Sequence, residues 1–199
     1  REFLRLAVKL EGRLDPADAE TVKRGTSTIV NQVQAMKQMV DDFAIYARTP
    51  RPGQLQLVDL SGLLLDVLAL YDNLRPHTSL ALPDGAVVIQ GEPTRLRQVF
   101  HNLMQNAIDA QAGAESPRYA ISLARDAGEA RLVFEDAGEG FPPDIVARAF
   151  EPYVTTKAKG TGLGLAIVQK IVDEHGGRVT LDNGARGARV TLTFPLATR

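Results

Sequence analysis

The sequence predicts an α/β two-layer sandwich, a mixed sheet with helices on one face, preceded by an α-helical hairpin. Three observations lead there. Apolar residues in the first 48 positions recur at alternating intervals of three and four, the period of helices that share a seam. Thr49-Pro50-Arg51-Pro52-Gly53 then interrupts the pattern, and its two prolines end a helix and stiffen a linker over residues 49–54. From residue 55 to 199, short apolar strands and helical segments are separated by glycine-rich turns. Such a mixture packs as helices against one face of a sheet.

In the hairpin, Phe3, Ala7, Leu10 and Leu14 mark a first helix. Asp15-Pro16 marks the next start, since Asp is a favoured N-cap and Pro a favoured first helical residue. The second helix carries Val22, Thr26, Ile29, Val33, Met36, Val40, Phe43 and Ala47, spaced strictly by four and three. A two-helix hairpin cannot bury such a seam alone. Residues 1–48 are therefore expected to form a homodimer as a four-helix bundle.

After the linker, Leu55–Leu60 reads as a short strand and Ser61 as the cap of a helix carrying Leu64, Val67, Leu68 and Tyr71. Ser79–Leu82 and Val87–Gln90 read as strands on either side of Pro83-Asp84-Gly85. Thr94–Ala110 is a helix with Leu96, Val99, Phe100, Leu103 and Ala107 on one side. Tyr119–Ala124 and Ala130–Asp136 form a hairpin about Asp126-Ala127-Gly128. Residues 137–162 read mostly as loop. Leu163–His175 is a helix closed by Gly176-Gly177, and Arg178–Asp182 and Ala188–Leu196 form a last hairpin.

Composition excludes several functions. Lys+Arg number 23 against 24 Asp+Glu, which leaves no basic footprint for nucleic acid or an anionic membrane. The lack of cysteine removes disulfides, thiolate metal ligands and cysteine nucleophiles. No apolar run reaches the ~20 residues of a membrane span, and no signal-peptide pattern opens the chain.

Three motifs carry chemistry. The first is Asn102-Leu103-Met104-Gln105-Asn106-Ala107-Ile108-Asp109. On a helix, Asn102, Asn106 and Asp109 fall within an arc of about 60° beside the apolar stripe. Asparagine is a poor helix-interior residue, and its amide oxygen is a neutral hard ligand suited to Mg²⁺. The second is Asp136-Ala137-Gly138-Glu139-Gly140. Leu132, Phe134 and Asp136 share one strand face, so the Asp136 carboxylate ends an apolar surface and needs a donor such as an adenine amino group. Gly138 and Gly140 let the backbone come close and turn. The third is Lys159-Gly160-Thr161-Gly162-Leu163-Gly164-Leu165, glycines running into a helix start where backbone N–H groups and the helix dipole favour phosphate. It is neither a P-loop nor a dinucleotide fingerprint.

In this order and spacing the motifs resemble those of the GHKL ATPases, and among them the sensor histidine kinases. Asn102–Asp109 is similar to the N box, Asp136–Gly140 to the Asp-x-Gly-x-Gly glycine box, Phe150-Glu151-Pro152-Tyr153 to the F box and Gly160–Leu165 to the second glycine box. The resemblance implies a GHKL ATP-binding domain over about residues 55–196, with ATP and Mg²⁺ as cofactors. It implies that Asn106 coordinates Mg²⁺ with Asn102 nearby, and that Asp136 holds the adenine amino group. Residues from about Glu139 to Thr161 would form a mobile lid. Tyr153, Thr156, Lys157, Lys159, Gly160, Thr161, Gly162, Leu163, Gly164 and Leu165 would border the nucleotide, as would Gly138 and Gly140. Many relatives have Lys where this chain has Asp109, and Lys157 or Lys159 would supply the missing cation. Thr28–Val33, Phe43–Arg48 and Tyr153–Lys157 resemble nitrogen-regulation kinases of the NtrY kind.

The resemblance makes residues 1–48 part of a dimerisation and phosphotransfer hairpin. It implies a receiver-domain partner and a cytoplasmic place, as the inner part of a membrane sensor. The family acceptor is a His followed by an acid near the start of the first hairpin helix. Here the histidines are His77, His101 and His175, in a loop, inside the N-box helix and beside a helix C-terminus that favours positive charge. Either the chain starts after the acceptor and is a kinase core, or the protein is a degenerate kinase that binds ATP and holds a response regulator.

Overall fold

A computed structural model describes residues 15–47, 55–157 and 160–198. The first helix expected in residues 3–14, the linker and Lys159 lie outside the described residues. The chain divides into two compact units, Arg1–Ala44 and Ile45–Arg199. The division falls a few residues before the expected linker, because Ile45 and Tyr46 pack with the core of the second unit.

Helix α1 is Pro16–Ala47, 32 residues and so about 48 Å long. Asp15 stands at its start, where its carbonyl accepts from Ala19 N–H at 2.9 Å. Lys37 pairs with Asp41 one turn on at 2.8 Å, and Gln38 donates to Asp42 at 2.8 Å. The seam residues Ile29, Val33, Met36, Val40 and Phe43 are all exposed in the single chain.

The second unit opens with β1 (Gln56–Asp59) and α2 (Leu60–Leu68). The cap of α2 is Asp59, not Ser61: its carboxylate accepts from the N–H groups of Ser61 and Gly62 at 3.1 and 3.3 Å. A carboxylate at a helix N-terminus also meets the positive end of the dipole. Its Oδ1 accepts from Val87 N–H as well, at 3.0 Å, which fastens the β3 approach to the helix start. A 3-10 segment, Ala69–His77, leads to β2 (Thr78–Ala81). Then follow β3 (Val88–Gly91), α3 (Pro93–Ala110), β4 (Tyr119–Asp126) and β5 (Glu129–Asp136). A single turn, α4 (Pro143–Val146), interrupts the long loop before α5 (Gly164–Glu174), β6 (Arg178–Asn183) and β7 (Ala188–Pro195).

Two sheets result. The main one has the order β2-β4-β5-β7-β6, with β2 parallel to β4 and the other pairs antiparallel. β1 and β3 form a separate antiparallel pair, so the two strands flanking Pro83-Asp84-Gly85 belong to different sheets. The β4–β5 turn has Ala127 and Gly128 both at positive φ, 45° and 89°, the two-residue geometry that matches strand twist. Strand alternation puts Ile121, Leu123, Leu132, Phe134, Val190, Leu192 and Phe194 in one core with Val99, Phe100 and Leu103 of α3 and Ile167, Val168 and Ile171 of α5. α5 stops as expected: Gly176 has φ 67°, and Gly177 N–H reaches Val172 O at 3.0 Å, a Schellman closure.

Candidate functional site

The polar arc of α3 faces the start of α5. Asn102 donates through Nδ2 to Gly164 O at 3.2 Å, and its Oδ1 accepts from Gln98 at 2.7 Å. Asn102 thus braces the two helices. A side chain at Gly164 would start 3.9 Å from Asn106 Nδ2, so the N-terminus of α5, with its unpaired N–H groups, lies beside Asn106. The oxygen of that amide points to a cation: Lys157 Nζ donates to Asn106 Oδ1 at 2.8 Å. The same ammonium pairs with Asp109 Oδ2 at 2.7 Å, while Gln105 donates to Asp109 Oδ1 at 2.8 Å.

Asp136 ends β5 as alternation requires. Its Oδ1 accepts from Gly138 N–H at 2.8 Å and Ala188 N–H at 3.4 Å. Burial pushes its carboxyl above the usual carboxylate value, against the opposing pull of those N–H groups and of the Lys157 charge. Gly138 is needed for close approach, because a Cβ there would stand 2.8 Å from Ala110 O. Gly140 has φ 75° and passes directly against Asn183.

The loop from β5 to α5 is tied at both ends. Asn183 donates to Phe141 O at 2.9 Å and accepts from Phe141 N–H at 2.8 Å. Tyr153 N–H donates to Gly162 O at 2.9 Å, and both residues adopt positive φ, 68° and 67°. A Cβ on Gly162 would meet the Tyr153 backbone at 2.5 Å. Thr161 Oγ1 accepts from Leu163 N–H at 3.3 Å, and Gly160 N–H donates to Lys157 O at 3.1 Å.

The structure brings together Asn102, Asn106, Asp109, Lys157 and Gly164. Other expected site residues stand differently. The Leu163 side chain is fully buried and Leu165 packs on the core, because the first turn of α5 turns its apolar face inward; only their backbone is at the helix start. Tyr153 and Thr156 are exposed, and Tyr153 contributes its N–H. Asn183 and Gly187 were not singled out in the sequence. A Cβ at Gly187 would collide with Asp136 O and lie 2.7 Å from Asp136 Oδ1. The glycine-rich turn around Asn183-Gly184 carried that signal, but reads as an ordinary hairpin until β7 is laid beside β5.

Two histidines are structural. Tyr71 OH and His101 Nδ1 are 2.6 Å apart, which turns His101 toward the 3-10 segment. His175 is buried, with Nε2 accepting from Glu92 N–H at 3.0 Å and Nδ1 2.6 Å from Ile171 O. The helix C-terminus was expected to favour its charge; burial wins and lowers its pKa.

Residues 91–198, more than half of the chain, match the family described as histidine kinase-, DNA gyrase B-, and HSP90-like ATPase. The nitrogen regulation protein NtrY of Azorhizobium caulinodans is 34% identical over 191 residues, 92% of this chain and 25% of that protein. A sensor histidine kinase of Rickettsia conorii, named NtrY-like, is 31% identical over 171 residues, 84% of this chain and 28% of its own length. The chain thus spans about a quarter of these relatives. The crystal structure of full-length ShkA in complex with AMPPNP aligns with a TM-score of 0.71 and 27% identity, over 98% of this chain and 42% of that one. The chain belongs to the histidine kinase-, gyrase B- and HSP90-like ATPases, on the branch of the NtrY-like sensor histidine kinases.

Proposed function

We propose that this chain is the ATP-binding catalytic core of a sensor histidine kinase, with Mg·ATP seated between α3, the Asp136 turn and the start of α5. The observation that carries the reading is the meeting of Asn106, Asp109, Lys157 and the N-terminus of α5, drawn from three separate stretches of sequence. In this reading Asp136 accepts from the adenine amino group. Its Oδ1 is taken by backbone N–H groups, and no hydrogen bond to Oδ2 occurs among the described residues. The backbone N–H groups of the first turn of α5 and the Lys157 ammonium would face the phosphates.

The donor set fits a magnesium ion. Asn106 Oδ1 and Asp109 Oδ2 are hard oxygens that already share one cation, the Lys157 ammonium, and Asn106, with Asp109 beside it, would hold the metal ion. Bound there, Mg²⁺ would neutralise charge on the phosphates during transfer. The γ-phosphoryl would pass to an imidazole nitrogen of a His outside this sequence, then to an aspartate of a response-regulator receiver domain. The whole protein would act at the cytoplasmic side of a membrane as a dimer through residues 1–48.

The test is calorimetry with ADP. Asp136→Asn should weaken binding by about 1.5–3 kcal/mol, the worth of a hydrogen bond to a charged group. The variant should not lose fold stability at neutral pH. Because the folded carboxyl has a raised pKa, its ionisation disfavours the folded state as pH rises through that value. Unchanged ADP affinity in the folded variant would contradict the assignment.

Within this sequence itself no acceptor stands in the hairpin, since residues 1–48 contain no His, so this chain alone is expected to bind ATP without phosphorylating itself. Transfer needs an imidazole nitrogen about 3–3.5 Å from the γ-phosphorus, and His101 and His175 are engaged elsewhere. Incubation with γ-labelled ATP should leave this chain without phosphohistidine. Stoichiometric acid-labile label on it would require an acceptor of another kind.

A further inference from the structure

We infer that the Lys157 ammonium is a tethered counter-cation of the metal site, exchanged for Mg²⁺ as nucleotide enters, and that Asp109 is the residue that positions it. The inference rests on the ATP-binding reading above and concerns how that site is kept ready.

The geometry begins with Asp109. Gln105 donates to its Oδ1 at 2.8 Å from one turn earlier on α3, which fixes the carboxylate and leaves Oδ2 turned to Lys157 at 2.7 Å. The third partner of the arrangement is Asn106 Oδ1, 2.8 Å from the same Nζ. An amide presents an oxygen at one end and an NH₂ at the other. A cation selects the oxygen, so Lys157 holds the Asn106 amide in the orientation that a metal ion also requires. The NH₂ end is left toward Gly164.

Lys157 and a metal ion compete for this oxygen. Mg²⁺ binds oxygen at about 2.0–2.1 Å. Two cations on the two lone pairs of one oxygen would then be only about 4 Å apart, and like charges at that distance repel. Entry of the metal therefore expels the ammonium from Asn106. The phosphate oxygens that arrive with the metal give it a new partner, and a lysine stem is long enough to swing between the two. Before nucleotide arrives, the ammonium also neutralises Asp109, which would otherwise repel a triphosphate. The ion pair is about one-third exposed on each side, 36% and 38%, so it is screened and releasable.

The experiment measures ADP affinity by calorimetry across a series of free Mg²⁺ concentrations, in the parent chain, Lys157→Met and Lys157→Arg. Adenosine affinity and the melting temperature report that each variant is folded. Removing the competitor should lower the Mg²⁺ concentration at half-effect about two- to fivefold in Lys157→Met, the range expected of a partly exposed ion pair. Lys157→Arg keeps a cation and should stay nearer the parent. Adenosine affinity should be unchanged in both. A half-effect concentration that is unchanged or higher in Lys157→Met would overturn the exchange and leave the ATP site standing. Failure of both the parent and the variants to bind ADP or adenosine would overturn the ATP-binding reading, and the exchange with it.

Discussion

Helix α1 and the α/β unit treat apolar side chains in opposite ways. In the α/β unit, Phe100, Leu132, Ile167 and Phe194 are essentially sealed from water by residues of the same chain. On α1, Ile29 is 64% and Met36 69% exposed, although their spacing is as regular as any in the sequence. Periodicity therefore says which residues share a face, and not what covers that face. In the unit from Ile45 onward, the partner is elsewhere in the chain. For α1, the partner that a heptad seam calls for is another helix.

The largest effect is expected where the two regions differ most. Val33→Glu with Val40→Glu puts charges at two layers of the seam, and a buried unpaired charge costs several kcal/mol. The parent chain should sediment as a dimer at micromolar concentration. The double variant should be a monomer, its dissociation constant raised about a hundredfold or more. Adenosine binding, housed in the other unit, should not change. A monomeric parent would remove the proposed bundle.

A smaller effect sharpens the other side of the comparison, because it lies within the α/β unit and should not depend on protein concentration. Burial holds His175 below the ordinary histidine value of 6.5, with Arg95 adding to the fall and Glu174 and Glu92 opposing it. The unfolded chain then takes up the proton at higher pH than the folded one. The stabilisation is complete above 6.5 and is lost as pH falls from there through the lower folded value. Protonation of Nε2 would also turn it against the Glu92 N–H that it now accepts. The melting temperature of the parent should fall more between pH 7.5 and 5.5 than that of His175→Gln. Equal falls would mean that His175 contributes nothing to the acid sensitivity.

Much of the fold was legible because burial and period agree: α3, α5, both hairpins and the Gly176-Gly177 stop stand within a residue or two of the expected places. Pairing between distant strands was not legible. Nothing in Val88–Gly91 says that it leaves the main sheet to join Gln56–Asp59. The cap at Asp59 was missed because Ser61 is also a good capping residue, and only the backbone path decides between them. At the site, the arc of Asn102, Asn106 and Asp109 followed from helix geometry. The Lys157 contact joins residues about fifty positions apart, and local pattern could offer two lysines without choosing. Gly187 was invisible for the same reason: its need for a bare Cα comes from Asp136 on a neighbouring strand.

The end of β7 also fastens the two sheets together. Leu196 bridges to Ile89 and its N–H reaches Gly128 O at 3.0 Å, while Ala197 N–H reaches Val88 O at 2.9 Å. The small sheet is thus made early in synthesis and secured by residues that follow it by about a hundred positions. At roughly 5–20 residues per second, a ribosome needs on the order of 5–20 s to cover that interval. Until those residues are made, the positions on β3 that Leu196 and Ala197 close, at Ile89 and Val88, have no partner on that side. A chain stopped just before Leu196 should therefore melt lower than one that carries Leu196 and Ala197, because the bridge to Ile89 and the bond to Val88 O would be missing.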